Sequence, residues 1–460
     1  MRAAPFAMVV AAAIALAGCG GERPAATVET PTQDAAATTP TPAASPTPAG
    51  TPTPDPALLR DGGIAIIEKA YARLLDEYIE PLDPSSLLTQ AWAGVRQEAA
   101  ADGLSAGREP ALTGDRAGDF AAFRASYVLV AAAAGDATKL RYAALRQMAS
   151  SLNDCHTFFL NPVASDTIVD TRAGSGAVGI GIDLAGIPPL VTEVIAGGPA
   201  ERAGILVGDR VVSVDGADTS QTGPQSTFDL INGHEGSVAR LQLRRPGESA
   251  PIEIVVTRER VTPRNIEARG LGDGIGYVRL RNFVDGGIAT PLREALTGLE
   301  ALGVTKWIID LRGNPGGRLD LDAMSLFVKE GITVRSRGRD GAVKDERGTG
   351  ATLATVRPTV LLVNNRTGSV AELFAAALQE YGVAWVVGEK SNGCVGFTDI
   401  TPLGDGSSVA VTTDVNIGPV TGVELAGRGV VPDEAVPRTQ SDISNARDPQ
   451  LDAAVAHFGG

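Results

Sequence analysis

The 460-residue chain predicts an α/β core that carries an inserted, mainly β module and follows a helical amino-terminal region. Three observations predict this. Beyond residue 263, apolar strand-like runs alternate with helical patterns, the signature of an α/β layer. Between 170 and 262, short apolar runs are separated by glycine-rich turns. From Ala57 onward, Ile64, Ile67, Tyr71, Leu74 and Leu75 recur at helical spacing. The expected organisation is a leader over 1–19, a linker over 20–56, helices over 57–165, the module over 170–262, the core over 263–440 and a polar tail with a short helix over 441–460.

The first segment reads as an export signal. Arg2 supplies the positive end, Phe6 to Ala15 the apolar stretch, and Leu16-Ala17-Gly18-Cys19 resembles a bacterial lipobox, which would make Cys19 the lipidated first residue. The alternative is a plain secretory signal cleaved nearby. Gly20 to about Pro56 is Pro, Thr, Ala and Gly, too poor in large apolar groups to offset its ordering entropy, so an extended tether is expected. The predicted location is the bacterial cell envelope, with a lipid anchor and exported domains. A net charge of −14 argues against a nucleic-acid partner.

The helical reading continues through Leu87, Leu88, Trp92 and Val95, then Phe120, Phe123, Tyr127, Leu129, Leu145 and Met148. It ends at Asp154-Cys155-His156-Thr157-Phe158-Phe159-Leu160. Of the chain's three histidines, His234 lies in a polar turn and His457 near the end, which leaves His156 as the candidate for chemistry.

In the core, Val363 to Phe374 reads as an apolar strand turning sharply into a helix that opens on Ser369. Upstream, Trp307 to Gly317 is a second buried strand ending in a glycine loop able to aim N–H groups at an oxyanion. Together they suggest acyl transfer. Ser369-Val370-Ala371-Glu372 is equally a capping box, in which the serine only starts a helix.

The balance shifts with a resemblance. These two motifs, in this order, resemble the carboxyl-terminal processing peptidases of the S41 serine family, whose nucleophile turn reads roughly Gly-Ser-Ala-Ser-Ala-Ser-Glu-Ile-Phe-Ala. Asp154 to Leu160, Gly276-Tyr277-Val278-Arg279-Leu280 and Gly427-Arg428-Gly429-Val430-Val431-Pro432-Asp433 also match, so the likeness runs from about Ile64 to Val436. It implies an α/β catalytic core of the S41 and ClpP/crotonase-like kind, with Ser369 as nucleophile and an oxyanion hole from Val370 with Gly316 or Gly317. The inserted module resembles a PDZ domain through Val178-Gly179-Ile180-Gly181-Ile182, Gly198 to Ile205 and Gly208 to Gly216. Its opening loop, Ala177, Val178, Gly179, Ile180 and Gly181, would hold a peptide's terminal carboxylate, with Thr227 to Asn232 as the other wall. A PDZ fold that only packs against its neighbours is the plainer alternative.

One departure is decisive for the chemistry. The family pairs its serine with a lysine 25 residues later, and that position is Cys394. Without a base a serine hydroxyl is a weak nucleophile. His156 is the first substitute, as in tricorn-like branches. Glu424 is the expected orienting acid, because the position where the branch often carries a glutamate is Ala426 here and Glu424 lies two residues earlier on the same face of an extended strand. Lys390 is second, and Cys394 itself the last. If the site resembles the family's, Cys155 and Cys394 both lie near it and could form a disulfide, two separate buried thiols being the alternative. No metal and no cofactor are implied, since no Cys/His cluster is visible along the chain. The expected function is an exported serine endopeptidase acting on protein or peptide substrates. The alternative is a catalytically silent PDZ scaffold.

Overall fold

A computed structural model describes residues 57–459 except 163–174, 177–179, 184–188, 196, 220–229, 232, 235, 260–264, 284–286, 349, 351 and 446. The lipobox with Cys19, the linker, the loop residues Ala177, Val178 and Gly179 and most of the segment Thr227 to Asn232 lie outside the described residues.

Four helices, Ile64–Glu77, Pro84–Ala101, Arg116–Ala133 and Thr138–Ser150, form the amino-terminal region. Asp83 and Asp115 cap the second and third by accepting from the Ser86 and Gly118 amides, satisfying donors that a helix start leaves orphaned. Phe120, Phe123, Tyr127 and Val130 form the buried stripe of the third helix, whereas Leu129 is 74% exposed. Leu129 lies on this helix, as its place in the helical run predicted, but off the three-to-four register of the buried stripe. These helices pack against Leu403, Val409 and Val411, and the buried pair Arg141–Asp405 (3.2 Å) pins the fourth helix to the same strand region. The chain leaving that helix is thereby aimed at the Asp154 turn.

The core sheet has the strand order Ile266–Gly272, Ile275–Leu280, Lys306–Asp310, Thr359–Val363, Ala384–Gly388 and Glu434–Ala435. Its first pair is antiparallel and the rest parallel. Trp307-Ile308-Ile309 and Val360 to Val363 are fully buried, which explains their unbroken apolar runs: a parallel strand is covered on both faces. One face packs on the helices Ala289–Ala301 and Val370–Glu380. The other is covered by the final helix, Pro449–Gly459, through Ala454 and Leu451. The segment expected to be a polar tail is thus part of the core, since its few apolar residues share one helix face.

A second sheet is organised around the long strand Ser408–Ile417, which pairs with Phe158–Leu160, Val334–Gly338 and Gly396–Pro402. It joins the end of the helical region to the core. The inserted module has the strand order Ile180–Asp183, Leu190–Val194, Arg210–Val214, Val238–Arg244 and Ile252–Thr257 around its own apolar cluster. Glu193 of this module pairs with Arg279 (2.8 Å) and Arg281 of the core. No described helix is long and apolar enough to cross a membrane.

Candidate active site

The buried strand Thr359–Val363 ends in a turn held by Thr367, whose hydroxyl donates to Leu311 O at 2.9 Å, and by Gly368 N, which donates to Asn314 O at 2.9 Å. Ser369 follows with φ 52° and ψ −126°. A non-glycine residue at positive φ is sterically costly and persists only where its surroundings over-determine it. Here the Ser369 amide donates to Cys394 O (2.9 Å) and to Glu372 Oε2 (3.0 Å). The helix Val370–Glu380 begins at once and is buried over nearly its whole length.

The glycine loop lies directly beneath. Asn314 is fully buried, donates to Leu280 O and accepts from Gly316 N at 2.9 Å. A Cβ on Gly316 would sit 2.6 Å from Ser369 Cβ and 2.7 Å from Val370 N. Only glycine permits that approach, and Gly316 also has φ +90°. Its own N–H is committed to Asn314, which leaves Gly317 N and Val370 N without an acceptor among the described hydrogen bonds. Of the two loop donors expected from sequence, the free one is Gly317.

His156 arrives on a turn built by Asp154. One carboxylate oxygen accepts from His156 N (3.0 Å), the other from the hydroxyls of Thr157 (2.8 Å) and Thr412 (2.5 Å). Thr398 donates to His156 O at 3.4 Å. Cys155 and Cys394, 239 residues apart, are joined by a disulfide with a Cα–Cα separation of 5.9 Å. The imidazole lies on it, with Nδ1 3.4 Å from Cys155 Sγ and 3.6 Å from Cys394 Sγ, and Nε2 3.9 Å from Cys394 Sγ. Burial lowers the His156 pKa below its ordinary value, partly opposed by the Asp154 charge, so the ring is neutral at pH 7.

Glu372, fully buried, connects the parts. It accepts from Ser369 N, Cys394 N (3.0 Å), Gly393 N (2.6 Å) and the Ser391 hydroxyl (2.5 Å). Burial raises its carboxyl pKa, and these four donors oppose the rise. The turn around Gly393 rests on the closing motif, because Gly427 N donates to Gly393 O and Ser391 N to Val430 O.

Two expected residues have other partners. Glu424 is half exposed and bonds Arg337 at 3.2 Å, so the acid expected to orient His156 is engaged elsewhere; the extended-strand argument fixed its face but not its distance. Lys390 is exposed and donates to Gly427 O at 3.3 Å. The capping-box reading of Ser369 to Glu372 is borne out by the bond from Ser369 N to Glu372 Oε2. Sequence reasoning did not find that Glu372 also gathers Ser391, Gly393 and Cys394, and it assigned no role to Asp154, Thr157 or Thr412. Ile180 and Gly181 open the strand Ile180–Asp183, which pairs antiparallel with Leu190–Val194.

A serine on a strained strand-to-helix turn, a glycine loop beneath it and a neutral histidine on the neighbouring turn define a serine-type peptidase of α/β architecture. The chain belongs to peptidase family S41: the family model matches residues 274–436, and a PDZ domain model matches 190–245. The carboxyl-terminal-processing protease of Picosynechococcus sp. is 31% identical over 306 residues, covering 65% of this chain and 73% of the relative. That of Synechocystis sp. is 30% identical over 328 residues, covering 68% and 76%. The solved structure described as photosystem II D1 C-terminal processing protease superposes with a TM-score of 0.55 at 26% identity, covering 81% of this chain and 93% of the other. The protein is accordingly a serine endopeptidase, a hydrolase with a PDZ domain.

Proposed function

We propose that this endopeptidase works through a Ser369–His156 dyad whose imidazole is oriented by the Cys155–Cys394 disulfide instead of by a carboxylate. The observation that carries the reading is that His156 Nδ1 faces both sulfurs, beside the residue that replaces the family's lysine. A sulfur is a weak acceptor, sufficient to favour the tautomer protonated at Nδ1 and to leave Nε2 as the base. Ser369 Oγ bonds to the substrate carbonyl carbon as its proton passes to Nε2. The oxyanion is held by Val370 N and Gly317 N, with the positive end of the Val370–Glu380 helix behind them. The C–N bond then breaks as the imidazolium returns the proton to the leaving amine, and water releases the acyl group by the same steps in reverse.

The PDZ domain captures a peptide or loose carboxyl terminus at the Ala177 to Gly181 loop, by strand addition with N–H groups on the terminal carboxylate. The names of the relatives, which refer to carboxyl-terminal processing, support that substrate class. The chain is exported and anchored through a lipid on Cys19.

The test is cleavage of a permanently unfolded protein by the mature enzyme and by its Ser369→Ala and His156→Ala variants. Loss of turnover in both is expected. Unchanged turnover in His156→Ala would eliminate the dyad, and Cys19→Ala protein that still partitions with membranes would eliminate the anchor.

A further inference from the structure

Cys155, His156 and Cys394 bring a nitrogen and two sulfurs within 4.8 Å of one another, the one such group of potential ligands among the described residues. Along the chain these residues are 239 positions apart at the widest, so no spacing motif announces them. Two thiolates and an imidazole are the soft, mixed donor set that zinc takes, with Zn–S near 2.3 Å and Zn–N near 2.0–2.1 Å. While the sulfurs are bonded to each other they cannot serve.

The two segments are held by bonds that do not involve sulfur. Asp154 ties the His156 turn to Thr157 and Thr412, and Phe158–Leu160 is paired to Ser408–Ala410. On the other side, Glu372 accepts from Gly393 N and Cys394 N, and the Cys394 carbonyl accepts from Ser369 N. Breaking the S–S bond therefore leaves both cysteines in place. The thiols need only side-chain rotation to separate from bonding distance to the roughly 3.7 Å between two sulfurs of a tetrahedral zinc site.

We propose that, once reduced, Cys155, Cys394 and His156 Nδ1 form a three-ligand site for a thiophilic divalent cation of the zinc class, so that this corner of the protein exists in two alternative states, disulfide or metal. A dithiol supplies two electrons and two protons to the S–S bond and becomes a disulfide itself; the two thiols formed release their protons to solvent as Zn²⁺ binds. In the metal state His156 is a ligand and is held away from proton transfer. The site rests on ligand geometry and not on the dyad, and zinc content reads it independently of peptidase activity.

The experiment uses the mature protein as purified and a portion reduced with dithiothreitol, desalted without oxygen, then dialysed against Zn²⁺. About one Zn²⁺ per chain is expected in the reduced protein and almost none in the oxidised one. Reduced Cys155→Ser and His156→Ala should each bind at least about 10-fold more weakly. Co²⁺ in place of zinc should give thiolate charge-transfer absorption in the reduced wild type and none in the oxidised protein. Equal zinc in the reduced and oxidised proteins, or full binding by a Cys155→Ser/Cys394→Ser variant, overturns the proposal. So does a circular dichroism spectrum showing that the reduced, metal-free chain is unfolded, because the site is argued from positions the fold maintains.

Discussion

The Ser369 amide donates to the Cys394 carbonyl at 2.9 Å. The nucleophile turn is therefore bonded through its backbone to the residue standing where the family carries lysine, and that residue is tied by sulfur to the neighbour of His156. The contact also holds Ser369 at φ 52°. Replacing Ser369 by alanine keeps that strain and removes the hydroxyl; replacing it by glycine removes both. Both variants should lose turnover by at least about 10³-fold, while Ser369→Gly should be more stable than Ser369→Ala by about 1 kcal/mol. Paired thermal unfolding measures the difference, and a less stable glycine variant would contradict the strain argument.

In the proposed dyad the base must be neutral to accept a proton, and burial lowers the His156 pKa below the ordinary value of about 6.5. The acid limb of kcat/KM should therefore lie below pH 6.5, with activity lost as pH falls through the lowered pKa. The stability linkage has the same sign: the unfolded chain binds this proton more readily, so the contribution is complete above about pH 6.5 and is lost on acidification. A limb above pH 7 that persists in His156→Ala would assign the base elsewhere.

Opening the disulfide frees a loop of 239 residues. The double variant Cys155→Ser/Cys394→Ser should lose about 2–5 kcal/mol of stability, read as a lower denaturation midpoint. It should also lose turnover under conditions where it remains folded, since Nδ1 then lacks both its sulfur contacts. A variant with wild-type kcat would show that the disulfide does not orient the ring.

Gly316→Ala would place a methyl carbon 2.6 Å from Ser369 Cβ, against backbone that has no room to move. We expect a loss of about 1–3 kcal/mol and of most activity. Among the close glycine contacts around the nucleophile this one tests the loop most directly, because the collision is with the catalytic turn itself.

Glu372→Ala leaves four donors unsatisfied in a buried space. An expected loss of about 3–5 kcal/mol follows. Glu372→Gln keeps the shape but offers one acceptor oxygen where two are used, so it should fall between alanine and wild type in a denaturant titration. Equal stability of Gln and Glu would mean that the charge contributes nothing.

Much of the fold was legible because burial imposes periodicity. Trp307 to Asp310 and Thr359 to Val363 read as strands from their unbroken apolar character, and parallel strands covered on both faces require it. The tail helix was underestimated because Ala454 and Leu451 contribute little hydrophobicity unless the sheet they cover is already known. Glu424 was chosen from strand alternation, which specifies a face of the chain and says nothing of Arg337, the side chain that binds it.

By itself the sequence determined the S41 membership, the inserted PDZ module, the serine at the turn and the replacement of the family's lysine by Cys394, because each is a local pattern of residue types. Only the tertiary structure decided which groups meet: that Gly317 and not Gly316 has the free loop N–H, that Glu372 gathers four donors, and that His156 lies on a disulfide. The first two rest on contacts between residues no more than 22 positions apart and the third on residues up to 239 apart, but all are made through space within a packed interior, which a local pattern of residue types does not specify.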